Sequence, residues 1–345
     1  MTGPLGVGFI GGGQATQAIH LPTLARFGDQ FHVARVMDVD AATAANVAAR
    51  CGAQVAASVE EVCSDPSVAI VTICSPNAFH AEQAIAACRA GKRLVMIEKP
   101  FAATRAEALE VARVAKETGT EVIVGAMHVY DPAYRAAEAA WTRAGDEALH
   151  VHSAIYLPPN DHFVDQATDR APASPAPWPK LDLDDVKVQA TMLRNAILGL
   201  AIHDLPLIRG FAPTIERIES ARFIPPFGYE MAFVGRGRSV RLLAMMPGAW
   251  APHWTLRAVG RSHELAATFP PSYVLAGSSR CEVRTPDRSL AYERDESGYE
   301  AMWRQAHALA TGAEPPIVSL DAIVADLDYA LDLADGVDAF LGVTR

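Results

Sequence analysis

The chain has 345 residues, half of them hydrophobic, with 30 basic against 40 acidic side chains and a formal net charge of −10. That length gives one large or two ordinary domains with a sizeable core, and the acidic balance argues for solubility and against a nucleic-acid partner. No apolar run of about eighteen residues offers a membrane span, the first residues lack the charged region of a signal peptide, and the five cysteines show no C-x-x-C pair. They read as reduced thiols of a cytoplasmic protein, mostly in its core.

Leu5 to Ile10 reads as a short strand, followed by Gly11-Gly12-Gly13 and a helix over Ala15 to Phe27. Phe31 to Asp38 is the next strand and Ala41 to Cys51 the next helix. Ser58-Val59-Glu60-Glu61 has the capping-box pattern that opens a short helix, and Thr104-Arg105-Ala106-Glu107 repeats it. Between them come a buried strand over Ala69 to Cys74, a helix over Ala78 to Ala90 and a strand over Arg93 to Glu98, and Glu121 to Ala126 closes the series. Strands alternating with helices of this length mean βαβ units on a parallel sheet.

Within that frame the glycine loop acquires a purpose. Gly11-x-Gly13-x-x-Thr16 carries two of the three glycines of a dinucleotide fingerprint, with Gly12 between them. The glycines allow a tight turn and close approach of the backbone to a pyrophosphate, and the following helix N-terminus supplies unpaired N–H groups. Thr16 stands at the third position, where a Gly or Ala lets the helix pack close, so a looser contact is expected. Asp38 ends the second strand, where an acid binds adenosine ribose hydroxyls and repels a 2′-phosphate; with Val39 beside it offering no cation, NAD is favoured over NADP.

Glu98-Lys99-Pro100 follows the apolar run Leu94 to Ile97, at the end of the strand over Arg93 to Glu98. Ligands of open parallel sheets bind outside the carboxyl ends of the strands, and Pro100 keeps Lys99 out of the helical region, a stiff mount for an amine. The plain alternative is a strand end with a solvated Lys.

After Asp131-Pro132, His150 to Leu157 is a strand, and Pro158, Pro159, Pro172, Pro175, Pro177 and Pro179 punctuate an irregular stretch. Ile218 to Tyr292 shows short alternating runs between Pro and Gly, an antiparallel sheet, and Gly298 to Thr311 and Leu320 to Phe340 are helices. His150 and His152 share one face of a strand, but with only His162 nearby as a third ligand they read as a polar face and not a metal site. Pro206 disfavours a continuous helix through Ile202, and Asp204 reads as the N-cap of a helix starting at Leu205.

Gly8-Phe9-Ile10-Gly11-Gly12-Gly13, His20, Asp38, Ser75-Pro76-Asn77-x-x-His80 and Glu98-Lys99-Pro100 together resemble the Gfo/Idh/MocA oxidoreductases, NAD(P)-dependent sugar and cyclitol dehydrogenases. The likeness runs more weakly through Asp131-Pro132, His203 and Gly298-Tyr299-Glu300. It implies a Rossmann domain over 1–128 and, over 129–345, an α+β domain on an open, mainly antiparallel sheet that joins homodimers or homotetramers, with the C-terminal helix packing back on the first domain. It also implies a catalytic Lys99, puts Ser75, Asn77, His80 and Glu98 on the cofactor side, and makes the irregular stretch a lid over a small sugar or cyclitol substrate.

By the same resemblance His203 serves proton transfer, but the Asp that relatives carry four residues earlier is Gly199 here. Asp204, next in sequence, points about 100° away on a helix and is a poor replacement. His128 stands where many relatives carry an Arg or Asn near the substrate, which makes it a candidate substrate contact. A base must take the hydroxyl proton when hydride leaves an alcohol carbon, and an imidazole with a pKa of about 6.5 suits that role. The competing reading is a dinucleotide-binding regulator with lost turnover, motivated by Gly199 and His128.

Overall fold

A computed structural model describes residues 3–169, 182–246 and 250–344. The chain divides into two compact units, one of Met1–Met127, Val164–Ala171 and Tyr299–Leu327, the other of His128–Phe163, Pro172–Gly298 and Asp328–Arg345. Among the described residues no helix is long and apolar enough to cross a membrane.

The first unit is built on β1 (Leu5–Ile10), β2 (Phe31–Met37), β3 (Gln54–Val55), β4 (Ile70–Ile73), β5 (Leu94–Ile97) and β6 (Glu121–Val124), paired in the order β3-β2-β1-β4-β5-β6. All five pairings are parallel. The central strands β1, β4 and β5 are buried at every residue, as strands covered on both faces must be. The helices between strands are α1 (Leu21–Leu24), α2 (Ala41–Cys51), α3 (Val59–Ser64), α4 (His80–Arg89) and α5 (Arg105–Thr118). Thr104 closes a full capping box with Glu107, whereas Ser58 caps α3 through the Glu61 amide while the Glu61 carboxylate reaches back to Ala57. β1 has β2 on one side and β4 on the other, so the strand order reverses there, and the loops after β1 and β4 bound the crevice where such sheets bind ligands.

The expected helix after the glycine loop is an irregular helical run instead. It is a π turn over Thr16–His20, then α1, then a 3₁₀ turn over Ala25–Phe27.

The second unit contains α6 (Pro132–Ala144), β7 (His150–Tyr156), α8 (Val186–Gly199), α9 (Leu205–Phe211) and the strands β8 (Arg217–Phe223), β9 (Phe227–Gly235), β10 (Arg238–Met246), β11 (His253–Val259), β12 (Glu264–Thr268), β13 (Arg280–Arg284) and β14 (Ser289–Tyr292). Eight strands pair in the order β14-β13-β12-β11-β7-β10-β9-β8, antiparallel except where β7 runs alongside β10. Helix α6 packs on β12 to β14 and α8 on β8 and β9. Buried Val151, Ile155, Val240, Leu242, Trp254, Leu256, Leu265 and Val283 form the covered face. Helix α7 (Asn160–Ala167) corrects the sequence reading of an irregular stretch after β7; Pro172, Pro175, Pro177 and Pro179 lie outside the described residues. Helices α10 (Gly298–Thr311) and α11 (Leu320–Phe340) fall where expected.

Candidate functional site

Gly11 follows β1 with φ of +98°, and a Cβ on it would sit 2.6 Å from the Cys74 carbonyl and 2.7 Å from Ser75 N. Both obstacles are backbone from the loop after β4, so only glycine fits this turn. A Cβ on Gly13 would meet nothing within 4 Å, which leaves that position open to a ligand. The Gly12 amide donates to Asp38 Oδ2 at 2.7 Å, and the Asp40 amide donates to Asp38 Oδ1 at 2.9 Å, so the acid ends β2 and also ties down the loop. Val39 beside it is 96 % exposed and brings no charge. Thr16 is not a loose contact. It is fully buried, and its hydroxyl donates to the Gly11 carbonyl at 2.6 Å, replacing the close helix packing of a small residue by a hydrogen bond.

At the ends of β4 and β5 the expected residues gather. Ser75 Oγ pairs with Gln83 at 2.6 Å, and Asn77 opens the 3₁₀ turn before α4. His80 is fully buried with its two ring nitrogens 2.8 Å from the Pro100 and Ser75 carbonyls. Both nitrogens are spent on loop carbonyls, so His80 is a strut between the two loops. Lys99-Pro100 is a cis peptide.

Glu98 sits at the end of a chain of polar groups that the sequence did not reveal. The Trp303 indole N–H donates to His20 Nδ1 at 3.2 Å, and His20 Nε2 faces Glu98 Oε1 at 3.1 Å. Because an indole N–H can only donate, Nδ1 is the acceptor and Nε2 carries the proton toward Glu98. A Cβ on Gly125 would lie 2.8 Å from Glu98 Oε1, so the glycine after β6 makes room for the carboxylate. Burial acts to raise the Glu98 carboxyl, but the His20 hydrogen bond and the Lys99 charge outweigh it and hold it below the ordinary range. Burial pushes the Lys99 amine below its ordinary range, and the Glu98 charge opposes that shift.

The second unit holds its own polar cluster. Asp204 occupies the N-cap position of α9 with Pro206 in the first turn, as expected, but its side chain makes no capping bond. The carboxylate is buried at 1 % exposure. His128 Nδ1 donates to Oδ1 at 2.9 Å, Ser153 Oγ to Oδ2 at 2.6 Å, and the Trp254 indole N–H to both oxygens at 3.0 and 2.9 Å. The capping role assigned from sequence is thus overturned: three side-chain donors brought from a turn and two strands outbid one local amide, because a buried carboxylate needs every lone pair met. His203 is buried in the 3₁₀ turn between α8 and α9, its ring 6.0 Å from that of His128 and 5.4 Å from that of Trp254. Sequence reasoning missed Ser153 and Trp254. A polar Ser among the inward residues of β7 and a buried indole both call for an acceptor, and that was the available signal.

His150 and His152 stack at 6.4 Å on β7, and burial together with the Arg241 cation holds both imidazoles below their ordinary range. Among the described residues no group of three His, Cys, Asp or Glu could hold a metal.

Residues 5–126 match the family model described as an oxidoreductase family with an NAD-binding Rossmann fold. A 1,5-anhydro-D-fructose reductase of Ensifer adhaerens is 40 % identical over 108 residues, 30 % of this chain and 32 % of that protein. Inositol 2-dehydrogenase 3 of Saccharopolyspora erythraea is 35 % identical over 130 residues, 37 % of this chain and 38 % of that one. The chain therefore spans little more than a third of the length of these curated relatives. Across nearly the whole chain the fold is similar to the solved UDP-N-acetylglucosamine 3-dehydrogenase of Acidithiobacillus ferrooxidans, with a TM-score of 0.71, 20 % identity and coverage of 98 % and 99 %.

Proposed function

We propose that this chain is a Gfo/Idh/MocA oxidoreductase that oxidises or reduces a secondary alcohol or ketone carbon of a ring polyol, a sugar or cyclitol, with NAD as partner, a reading supported by the family-model match over residues 5–126. The observation that carries this reading is Lys99, its amine pushed down by burial, set two residues past β5 on the sheet whose neighbouring crevice is edged by the Gly11 turn and Asp38. The residues fit a dinucleotide: Gly13 leaves space, Gly11 permits close approach, and Asp38 stands where it would accept hydrogen bonds from ribose hydroxyls. The nicotinamide would supply the hydride-accepting or hydride-donating ring. Gly11, Gly12 and Gly13 would hold the pyrophosphate, Ser75, Asn77 and Glu98 would line the nicotinamide side, and His80 would keep the loops in place. Lys99 would orient the substrate hydroxyl and stabilise the developing alkoxide, while an imidazole, His203 or His128, would take the proton. His128 would contact the substrate.

A panel of sugars and cyclitols with NAD and NADP, followed by reduced-nicotinamide absorbance, tests the reaction. Saturable NAD binding without turnover on any member would favour the regulator instead. Asp38→Asn keeps an acceptor for the Gly12 amide but removes the charge, so it should weaken NAD binding and narrow the gap to NADP. Dissociation constants of both cofactors decide this, and a wild-type preference for NADP would overturn the assignment to NAD.

The open face of the large sheet, with Arg241, Arg257 and Glu264 around half-buried Leu243, Ala232 and Thr255, supports a homodimer or homotetramer joined there. A monomeric mass by light scattering would refute it. The five unpaired cysteines fit the reducing cytoplasm.

A further inference from the structure

We infer that the working acid–base imidazole is His128, backed by Asp204, in place of His203; the inference rests on the oxidoreductase reading above. Asp204 is the carboxylate that Gly199 withholds, and it is delivered to a different histidine. His128 Nδ1 donates to Asp204 Oδ1 at 2.9 Å, and because an ionised carboxylate only accepts, the proton sits on Nδ1 and the Nε2 lone pair is left to act. Nε2 is buried and meets no hydrogen-bond partner among the described residues. The ring itself is 3 % exposed and held on its face by Phe269, with centroids 3.9 Å apart at 18°, and at its edge by Trp254 at 4.8 Å. The carboxylate is fixed in turn by Ser153 and Trp254. A base oriented by a carboxylate, itself oriented by two more donors, is the arrangement that sets an imidazole's tautomer and stabilises its protonated form.

In the oxidative direction the substrate O–H bond breaks, its proton goes to His128 Nε2, and the freed electron pair closes the C=O bond. A bound oxidised dinucleotide would supply the acceptor for the C–H hydrogen and its two electrons. Among the described residues, the titratable groups near the pair include His203 at 6.0 Å, Tyr134 on α6 with Glu138 and Cys281 beside it, and Tyr229 on β9. Burial first, then the Glu138, Cys281 and Asp204 charges at Tyr134 and the Asp204 charge at Tyr229, push both phenols well above their ordinary range, so they stay neutral through the assay. The two imidazoles lie 6.0 Å apart, and two variants separate their roles.

The test compares His128→Asn and His203→Asn for turnover between pH 5 and 9, beside ¹⁵N NMR of the histidine rings without cofactor. The expected result is a loss of about a hundredfold or more in kcat for His128→Asn with disappearance of the acid limb, and a smaller loss with the limb retained for His203→Asn. The spectra should show His128 protonated at Nδ1 in the wild type, and this preference should be lost in Asp204→Asn. If Asp204→Asn does not fold, Ser153→Ala, which frees one carboxylate oxygen, should shift the acid limb instead. A His128→Asn enzyme that keeps wild-type turnover and pH profile, or a His128 ring protonated at Nε2, overturns the inference and leaves the oxidoreductase reading intact. Absence of wild-type turnover on the whole panel removes both.

Discussion

Lys99→Ala is expected to lower turnover about a thousandfold or more, roughly 4 kcal/mol of transition-state stabilisation, with dinucleotide affinity little changed. The two effects separate because two sets of residues carry them. The amine would act on the reacting oxygen, where a positioned donor or acid contributes only as charge develops. The pyrophosphate would rest on the turn made by Gly11 and on the space at Gly13, strands away in the chain order. Removing the amine also leaves Glu98 held by His20 and Trp303, so the loop keeps its carboxylate anchored. Steady-state kinetics beside a cofactor titration checks this. Near-normal turnover would reduce Lys99 to scaffold, and an equal loss of cofactor affinity would make it a binding residue.

Gly11→Ala is expected to destabilise the first unit by about 2–4 kcal/mol and to abolish measurable dinucleotide binding. Two costs add: a left-handed φ of +98°, and a methyl placed 2.6 Å from the Cys74 carbonyl carbon and oxygen. Those atoms belong to the backbone that leads out of the fully buried strand β4, so they cannot move aside without pulling the sheet. Gly13→Ala is the matched control. Its methyl meets nothing within 4 Å, so stability should be nearly unchanged while dinucleotide binding weakens, because the space it fills is the space assigned to the pyrophosphate. Denaturant unfolding and cofactor titration of the two variants test the pair. A Gly11→Ala protein as stable as the wild type would contradict the close approach of the two loops.

Local pattern was enough for the parallel-sheet half because each of its elements is announced by neighbours in sequence. Buried strands such as Ile70–Ile73 read as short apolar runs, Thr104 and Glu107 close their cap within one turn, and Asp38 falls at a strand end. The alternating runs from Ile218 to Tyr292 announced an antiparallel sheet for the same reason, a period of two that persists within each strand. Local reasoning failed where a side chain's partner is remote. Asp204 looked like a cap because the only donors visible in sequence were the amides after it, whereas its donors stand 76, 51 and 50 residues away at His128, Ser153 and Trp254. Trp303 reaches His20 across 283 residues, a pairing no spacing rule contains. Helix α7 went unread because prolines around it suggested irregular chain, although Asn160–Ala167 itself contains none. The sequence by itself determined which segments are strands, which turn needs glycine and which strand end carries Lys99, all consequences of backbone sterics and hydrophobic period. Only the tertiary structure decided which buried acid serves which histidine, because a carboxylate removed from water takes whatever donors the packed sheet and helices bring to it.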